Sequence, residues 1–368
     1  MSDVPAETVL LGSVLPGGVI PEPVLIVGCG LMGTSVALAL REHGIEVYLD
    51  DARPANIELA VSRGAGKPGP VGDPGLVVVA VPPTAVVDAV VDALAQWPET
   101  IVTDVASVKD DLGRRIARSP GASRYVGGHP MAGSERSGPL AASGRLFEGR
   151  AWAVTANADS DPRAVAAVRG LATLVGAVVV DMDASSHDEA VALVSHVPHL
   201  LSVLAAAQLN GAPDGHLALA GPGLRDVTRI AGSDTGLWLE ILQGNATRVK
   251  TLLENVRADL ENLIDGLDHD VNSIAAVLRR GREGTLLVPG KHGDKAVDLA
   301  TVFVQIPDQP GELSRLMAHT GESGINIEDI RIDHELGRPV GLVEVAVAAH
   351  NAEALVDALT GRGWSAYR

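Results

Sequence analysis

The sequence predicts an α/β chain: a Rossmann-like, doubly wound parallel sheet, then an all-helical domain, then a small ferredoxin-like βαββαβ unit. Three observations predict it. Short apolar runs alternate with helix-length segments from Val24 to Val180. Beyond Ser185 the strand pattern stops and helical spacing takes over. After residue 300 short strands return around two helix-length segments. Alternating strands and helices imply right-handed crossovers and a mostly parallel sheet.

Residues 1–22 are punctuated by Gly and Pro, have no period and read as an N-terminal extension. The first domain spans 23–184. Its expected strands are Val24–Val27, Glu46–Leu49, Leu76–Val81, Ile101–Asp104, Trp152–Thr155 and Ala177–Val180. Its clearest helices are Thr34–His43 and Val108–Ile116. Pro82 and Pro83 end the third of those strands, because proline cannot donate to a ladder. The second domain spans 185–286, with helices over Ser185–Gln208 and Leu237–Arg280. In the latter, Val249, Leu253, Val256, Leu260, Leu263, Leu267, Val271, Ile274 and Leu278 step alternately by threes and fours. That is the seam of a helix packing on other helices, either within one chain or across a homodimer. Residues 287–299 form a linker within a Gly-rich, charged stretch. The tail, 300–368, places strands at Thr301–Ile306, Ile325–Asp333, Gly341–Val347 and Trp364–Tyr367. Helices at Glu312–Glu322 and Ala352–Thr360 complete the split βαβ order, with a turn at Gly337–Pro339.

Composition narrows the function. The chain has 368 residues and a net charge of −17, from 46 acids against 29 bases. That balance argues against a nucleic-acid backbone or an anionic membrane as partner. One cysteine, Cys29, makes no intramolecular disulfide and no Cys-based zinc site, so a reducing, cytoplasmic setting is expected. No signal peptide and no uncharged apolar stretch of membrane-spanning length are expected.

Gly28-Cys29-Gly30-Leu31-Met32-Gly33 follows a strand and opens a helix. Gly28 allows the tight turn, Gly30 lets backbone approach a pyrophosphate, and Gly33 lets helix and strand pack closely. The helix start offers free N–H groups to phosphate. An acid at the end of the next strand accepts from ribose hydroxyls and repels a 2′-phosphate, which favours NAD. Asp51 is the first choice for that role and Asp50 the reserve, with Arg53 near enough to temper the preference. Cys29 reads as a small packed residue.

Chemistry-bearing residues come later. Asp104-Val105-Ala106-Ser107-Val108-Lys109 follows a strand on the carboxyl edge of the sheet, where open α/β folds bind ligands. Gly127-Gly128-His129-Pro130-Met131-Ala132-Gly133-Ser134-Glu135 places a histidine in what reads as a fixed, irregular loop. A neutral imidazole beside a nicotinamide takes a hydroxyl proton as hydride leaves the carbon. His187-Asp188 and Ser195-His196-Val197-Pro198-His199 put three His and an Asp within thirteen residues. No metal site is expected there, because Pro198 interrupts a regular helix and no His-Glu-x-x-His pattern occurs. Arg225 and Arg229 lie in a turn leading into a helix and suit carboxylate recognition, or a surface ion pair with Asp226.

In order and spacing, the Gly28 fingerprint, Asp104–Lys109, Gly128–Glu135, His187–His199, Arg225–Ala231 and Trp238 resemble the prephenate/arogenate dehydrogenase family, over residues 22–285. The tail resembles an ACT domain through Ile306–Leu313 and Gly324–Ile327. The resemblance implies oxidative decarboxylation of prephenate with NAD⁺, giving 4-hydroxyphenylpyruvate, CO₂ and NADH in tyrosine biosynthesis. It implies that His129 accepts the C4 hydroxyl proton, and that Ser107 bonds that hydroxyl and orients the imidazole. It implies Arg229 for the substrate carboxylate, with His187, Ser195, His199 and Trp238 lining the pocket and Glu135 near its entrance. A dianionic substrate meeting so acidic a chain needs local positive charge. The resemblance further implies a dimer through the helical domain, and an amino-acid effector, tyrosine first, at Gly311 and Asn326. Two alternatives stay open: arogenate as substrate, with Glu135 pairing its amine, and a dinucleotide-sensing regulator that has lost the chemistry.

Overall fold

The computed structural model describes residues 20–69, 72–133, 136–288, 298–334 and 340–368. The chain folds as two compact units that divide between Asn255 and Val256.

The first unit is built on eight strands: β1 (Val24–Val27), β2 (Val47–Asp50), β3 (Lys67–Pro68), β4 (Leu76–Val79), β5 (Ile101–Asp104), β6 (Tyr125–Pro130), β7 (Ala151–Thr155) and β8 (Val178–Asp181). Among them run helices α1 (Leu31–Glu42), α2 (Pro54–Ser62), α3 (Val86–Gln96), α4 (Asp110–Ile116) and α5 (Pro162–Leu174). The strand order is β3-β2-β1-β4-β5-β6-β7-β8. The order reverses between β1 and β4, which opens a crevice at their carboxyl ends. Only β6 and β7 run antiparallel.

Successive side chains of a strand face opposite ways. In β1, Val24 and Ile26 join one core with Leu76, Val78 and Trp152. Leu25 joins the other with Val77, Val79 and Val102. Both faces of the sheet are covered, which is why β4 is apolar at every position and buried throughout.

Helices follow the sheet: α6 (Ala184–Val191), a π-helical turn (Ala192–His196), α7 (Val197–Ala207), α8 (Pro222–Thr228), α9 (Thr235–Gly244), α10 (Ala246–His269) and α11 (Val271–Thr285). Two expectations change here. The helix expected over Leu237–Arg280 is three helices, interrupted at Asn245 and at Asp270. Asp270 leaves helical geometry and its side chain accepts from the Asn272 N–H at 3.0 Å, capping α11. Secondly, residues Ala184–Gly211 form one helical run with mean hydropathy 1.7 over an 18-residue window, long and apolar enough by length and composition to cross a membrane. The sequence expectation of no such stretch is corrected. Its His187, Asp188, His196, His199 and Ser202 are buried, while Leu193, Val194 and Leu204 are exposed.

The second unit holds the end of α10, all of α11, and a four-stranded antiparallel sheet. Its strands are β9 (Leu299–Pro307), β10 (Asp329–His334), β11 (Val340–Ala348) and β12 (Ser365–Tyr367), with α12 (Glu312–Glu322) and α13 (Ala352–Thr360). The order β10-β11-β9-β12 is that of a split βαβ fold. Val302, Val304, Val343 and Val345 bury one face against Leu316, Leu355 and Leu359. The expected turn at Gly337–Pro339 lies outside the described residues.

Candidate active site

The glycine turn joins β1 to α1 beside the loop that follows β4. Gly28 has φ +100°, and a Cβ there would lie 2.4 Å from the Ala80 carbonyl oxygen. A Cβ at Gly33 would lie 1.9 Å from the Gly28 oxygen. Neither position admits a side chain. At Gly30 a Cβ would meet nothing within 4 Å, so the turn is open on that side. Leu31 and Met32 begin α1, whose N-cap, Gly30, has no capping side chain, so the helix start keeps its N–H groups for a ligand. The Asp51 carboxylate is anchored at this turn. Its Oδ2 accepts from Cys29 N at 2.7 Å, and its Oδ1 accepts from Arg53 N at 2.8 Å and Asn56 Nδ2 at 3.1 Å. Asp50 ends β2 with an exposed side chain, its carbonyl accepting from Gly28 N at 2.7 Å. An open glycine turn, an uncapped helix start and a carboxylate fixed next to them fit a dinucleotide. Cys29 is buried, and burial, then Asp51 and Asp50, push its thiol up to about 12, so it is a neutral packing group.

His129 is not in an irregular loop. It is the fifth residue of β6 and pairs with Ala153 of β7. β6 runs parallel to β5, so His129 lies at the same carboxyl edge as the glycine turn. The strand is legible only in three dimensions, because Gly127 and Gly128 carry no β-forming side chain. A Cβ on Gly128 would meet the Asp104 carbonyl at 2.7 Å and the Trp152 indole nitrogen at 2.9 Å. The two glycines buy close approach to β5 and β7 where regular strand composition would not fit.

Around His129 the polar groups are buried and connected. His129 Nδ1 lies 2.8 Å from His187 Nε2, and His187 Nδ1 lies 2.8 Å from Asp188 Oδ1. The Asp188 carboxylate also accepts from the backbone N–H groups of Lys109 at 2.8 Å and Asp110 at 3.0 Å. Burial alone would raise the Asp188 carboxyl, but the bonds from His187, Asp110 and Lys109 hold it below its ordinary range. Burial, then the neighbouring His187, Lys109 and His196, hold His129 well below the usual imidazole value, so it is neutral at pH 7. Burial also lowers His196 to about 4 and lowers His199. Asp104 takes the Lys109 ammonium, with Tyr125 Oη donating to its other oxygen at 2.7 Å, so this buried lysine is neutralised locally. Burial and Asp104 raise the Tyr125 phenol and keep it protonated.

The remaining expected residues fall as follows. Ser107 is half-buried between β5 and α4 and forms no hydrogen bond among the described residues. Among the described residues the imidazole of His129 meets His187. His187 is itself buried inside the chain of bonds and not a simple wall of a cleft. Ser195 and His196 lie in the π-helical turn, which directly precedes Pro198, the second residue of α7. His199 stacks on Trp238 with centroids 3.5 Å apart and planes 1° apart, and His196 meets the same indole edge-on at 6.0 Å. Arg229 is exposed at the start of the turn after α8. Glu135 lies outside the described residues. Sequence reasoning left Asp188 without a role and missed Asn245, whose Nδ2 donates to the Asp188 carbonyl at 2.7 Å. Only the adjacency of His187 and Asp188 signalled the first; nothing local signalled the second.

Two family models match this chain: the nucleotide-binding domain of prephenate dehydrogenase over residues 36–181, and the dimerization domain of prephenate dehydrogenase over residues 183–280. A probable prephenate dehydrogenase, NovF, of Streptomyces niveus is 35% identical over 93% of this chain and 98% of its own length. A crystal structure of prephenate dehydrogenase from A. aeolicus with hydroxyphenyl propionate and NAD⁺ is 29% identical, with a TM-score of 0.63, over 71% of this chain and 97% of that one. A Synechocystis arogenate dehydrogenase structure is 26% identical, with a TM-score of 0.59, over 71% of this chain and 98% of that one.

Proposed function

From the premise that this chain belongs to the prephenate dehydrogenase family and is an NAD-dependent oxidoreductase, we propose that it oxidatively decarboxylates prephenate to 4-hydroxyphenylpyruvate. The observation that carries this reading is a buried, neutral His129 at the carboxyl edge of a sheet whose glycine turn fits a dinucleotide. NAD⁺ held at the glycine turn would supply the acceptor for hydride from C4 of the ring; C1 loses CO₂, and aromatisation drives the reaction. His129 accepts the C4 hydroxyl proton as hydride leaves and returns it to the phenolate oxygen that forms on loss of CO₂, so the phenol product keeps its hydroxyl and no net proton is released. Ser107, with no protein partner among the described residues, donates to or accepts from that hydroxyl. Arg229 pairs with a substrate carboxylate, and the His199–Trp238 stack forms a wall. Asp51 holds the ribose hydroxyls, with Gly28, Gly30, Leu31, Met32 and Gly33 along the pyrophosphate. Arogenate is the second reading, since the Synechocystis neighbour is an arogenate dehydrogenase, and Glu135 is the residue that bears on it.

The tail is an ACT domain in this reading, and tyrosine binds where β9 meets α12. Gly311 has φ +94° there and faces open space. Asn326 donates to Glu328 at 2.8 Å and is the polar partner for the effector. The active form is a cytoplasmic homodimer through the helical domain. The test is NADH formation by the full chain with prephenate and with arogenate, each with and without tyrosine. Turnover of prephenate far above arogenate supports the assignment. Turnover of arogenate alone moves it to the sister substrate, and a rate indifferent to tyrosine removes the effector role from the tail.

A further inference from the structure

We infer that Asp188 is a positioning residue: acting through His187, it holds His129 in the tautomer whose Nε2 is the only basic nitrogen. The inference rests on the reading of His129 as the proton acceptor and deepens it. A base needs a lone pair at a defined atom, and a neutral imidazole has two possible arrangements of its proton. The bonds around Asp188 choose one.

The chain of proton assignments starts at the carboxylate. Asp188 Oδ1 lies 2.8 Å from His187 Nδ1 and Oδ2 accepts from Asp110 N at 3.0 Å. Both oxygens are therefore acceptors, and the proton of the His187 contact belongs to His187 Nδ1. In the proposed arrangement this is the single ring proton of His187, and its Nε2 carries the lone pair. That nitrogen lies 2.8 Å from His129 Nδ1, so the proton of this second contact belongs to His129 Nδ1. His129 Nε2 is left without a proton. When the substrate O–H breaks, the new N–H forms at Nε2, and the charge of the resulting imidazolium is met by His187 Nε2 at the opposite nitrogen. A carboxylate orienting a histidine through a ring nitrogen is a known way to fix tautomer and support the cation. Here a second imidazole is interposed.

The surroundings hold this arrangement rigid. His129, His187 and Asp188 are buried, and their rings meet edge to face at 5.0 Å. Asp188 is held by the N–H groups of Lys109 and Asp110 from the loop after β5, and its carbonyl by Asn245 from the junction of α9 and α10. Asn245 Nδ2 also lies 3.3 Å from His196 Nδ1. The Lys109 ammonium is bound to Asp104, and the Asp110 carboxylate is paired with Arg248 at 2.8 Å, so neither side chain bonds Asp188. Two separate stretches of chain therefore converge on one aspartate, which bonds His187 directly and reaches His129 only through it.

The experiment combines kinetics with imidazole ¹⁵N NMR on the full-length protein. In the wild type, His129 and His187 are both expected as neutral Nδ1–H tautomers. In Asp188→Asn, kcat falls by about 10²–10⁴-fold with KM and NAD binding within about threefold, and the His129 signal moves toward Nε2–H. A folded Asp188→Asn protein with unchanged kcat overturns the inference. Because Asp188 also caps two backbone N–H groups, the variant risks not folding. The wild-type spectrum then decides: Nε2–H on His129, or a cationic His187, overturns the inference, and two Nδ1–H rings sustain it. His129→Asn separates the two levels. Loss of turnover in His129→Asn but not in Asp188→Asn overturns the positioning role alone. Full turnover in His129→Asn removes the base, and the inference with it.

Discussion

His129 does its proposed work because of what surrounds it, and its titration makes that measurable. Burial, then His187, Lys109 and His196, lower its pKa below the ordinary 6.5. The basic form is therefore already complete at neutral pH, and kcat should be level there and fall only on the acid side, below about pH 6.5. A limb centred above pH 7 would assign the proton to another group. His129→Asn should lower kcat by about 10²–10⁴-fold while NAD binding, read by fluorescence titration, is retained. Gly128 is constrained by its neighbours: an alanine methyl meets the Asp104 carbonyl and the Trp152 indole, and neither can move away. Gly128→Ala should lose about 1–3 kcal/mol of stability by denaturant unfolding; an unchanged midpoint would mean that β6 shifts freely.

At the scale of elements, capping and burial decide where helices stop and strands sit. Asp270 ends one helix and caps the next. Asp270→Ala should cost about 1 kcal/mol, read as a shift in thermal midpoint. Strands β1, β4 and β5 were legible because apolar runs bounded by Gly, Pro or Asp signal buried parallel strands. Strand β6 was not, since its glycines and His129 look like loop residues until β5 and β7 supply the partners. The helix over Leu237–Arg280 read as continuous because a heptad seam carries across Asp270 in sequence, although the backbone does not. The π-helical turn before Pro198 was equally hidden, because an i→i+5 bond leaves no residue-type signature.

Across the whole molecule, two properties of the chain become measurable. Leu267 is 77% exposed on α10 and Leu278 is 66% exposed on α11. Apolar side chains left outside on the seam are what a second copy would cover. If the proposed homodimer uses this seam, a double change, Leu267→Glu with Leu278→Glu, should leave the fold intact and shift sedimentation from dimer to monomer. An unchanged sedimentation coefficient would place the contact elsewhere. Stability should also follow the buried histidines. His129 and His196, the latter at about 4, refuse protons that the unfolded chain takes up near 6.5. Their contribution is complete above about pH 6.5 and is lost as pH falls toward 4. The urea midpoint should therefore drop between pH 7 and pH 5.

Sequence alone determined the order of the three regions, the glycine turn with its acid at the end of the second strand, and most of the candidate residues around His129. Those features are local: a strand, a tight turn and a helix start are specified by residues within a few positions of one another. Only the tertiary structure decided that His129 sits in a strand, that His187 faces His129 and not solvent, and that Asp188 and Asn245 belong to the same polar cluster. Residues from β6, α6 and the start of α10 lie more than fifty positions apart. Their meeting depends on how a twisted sheet and its helices pack, and no spacing along the chain encodes it.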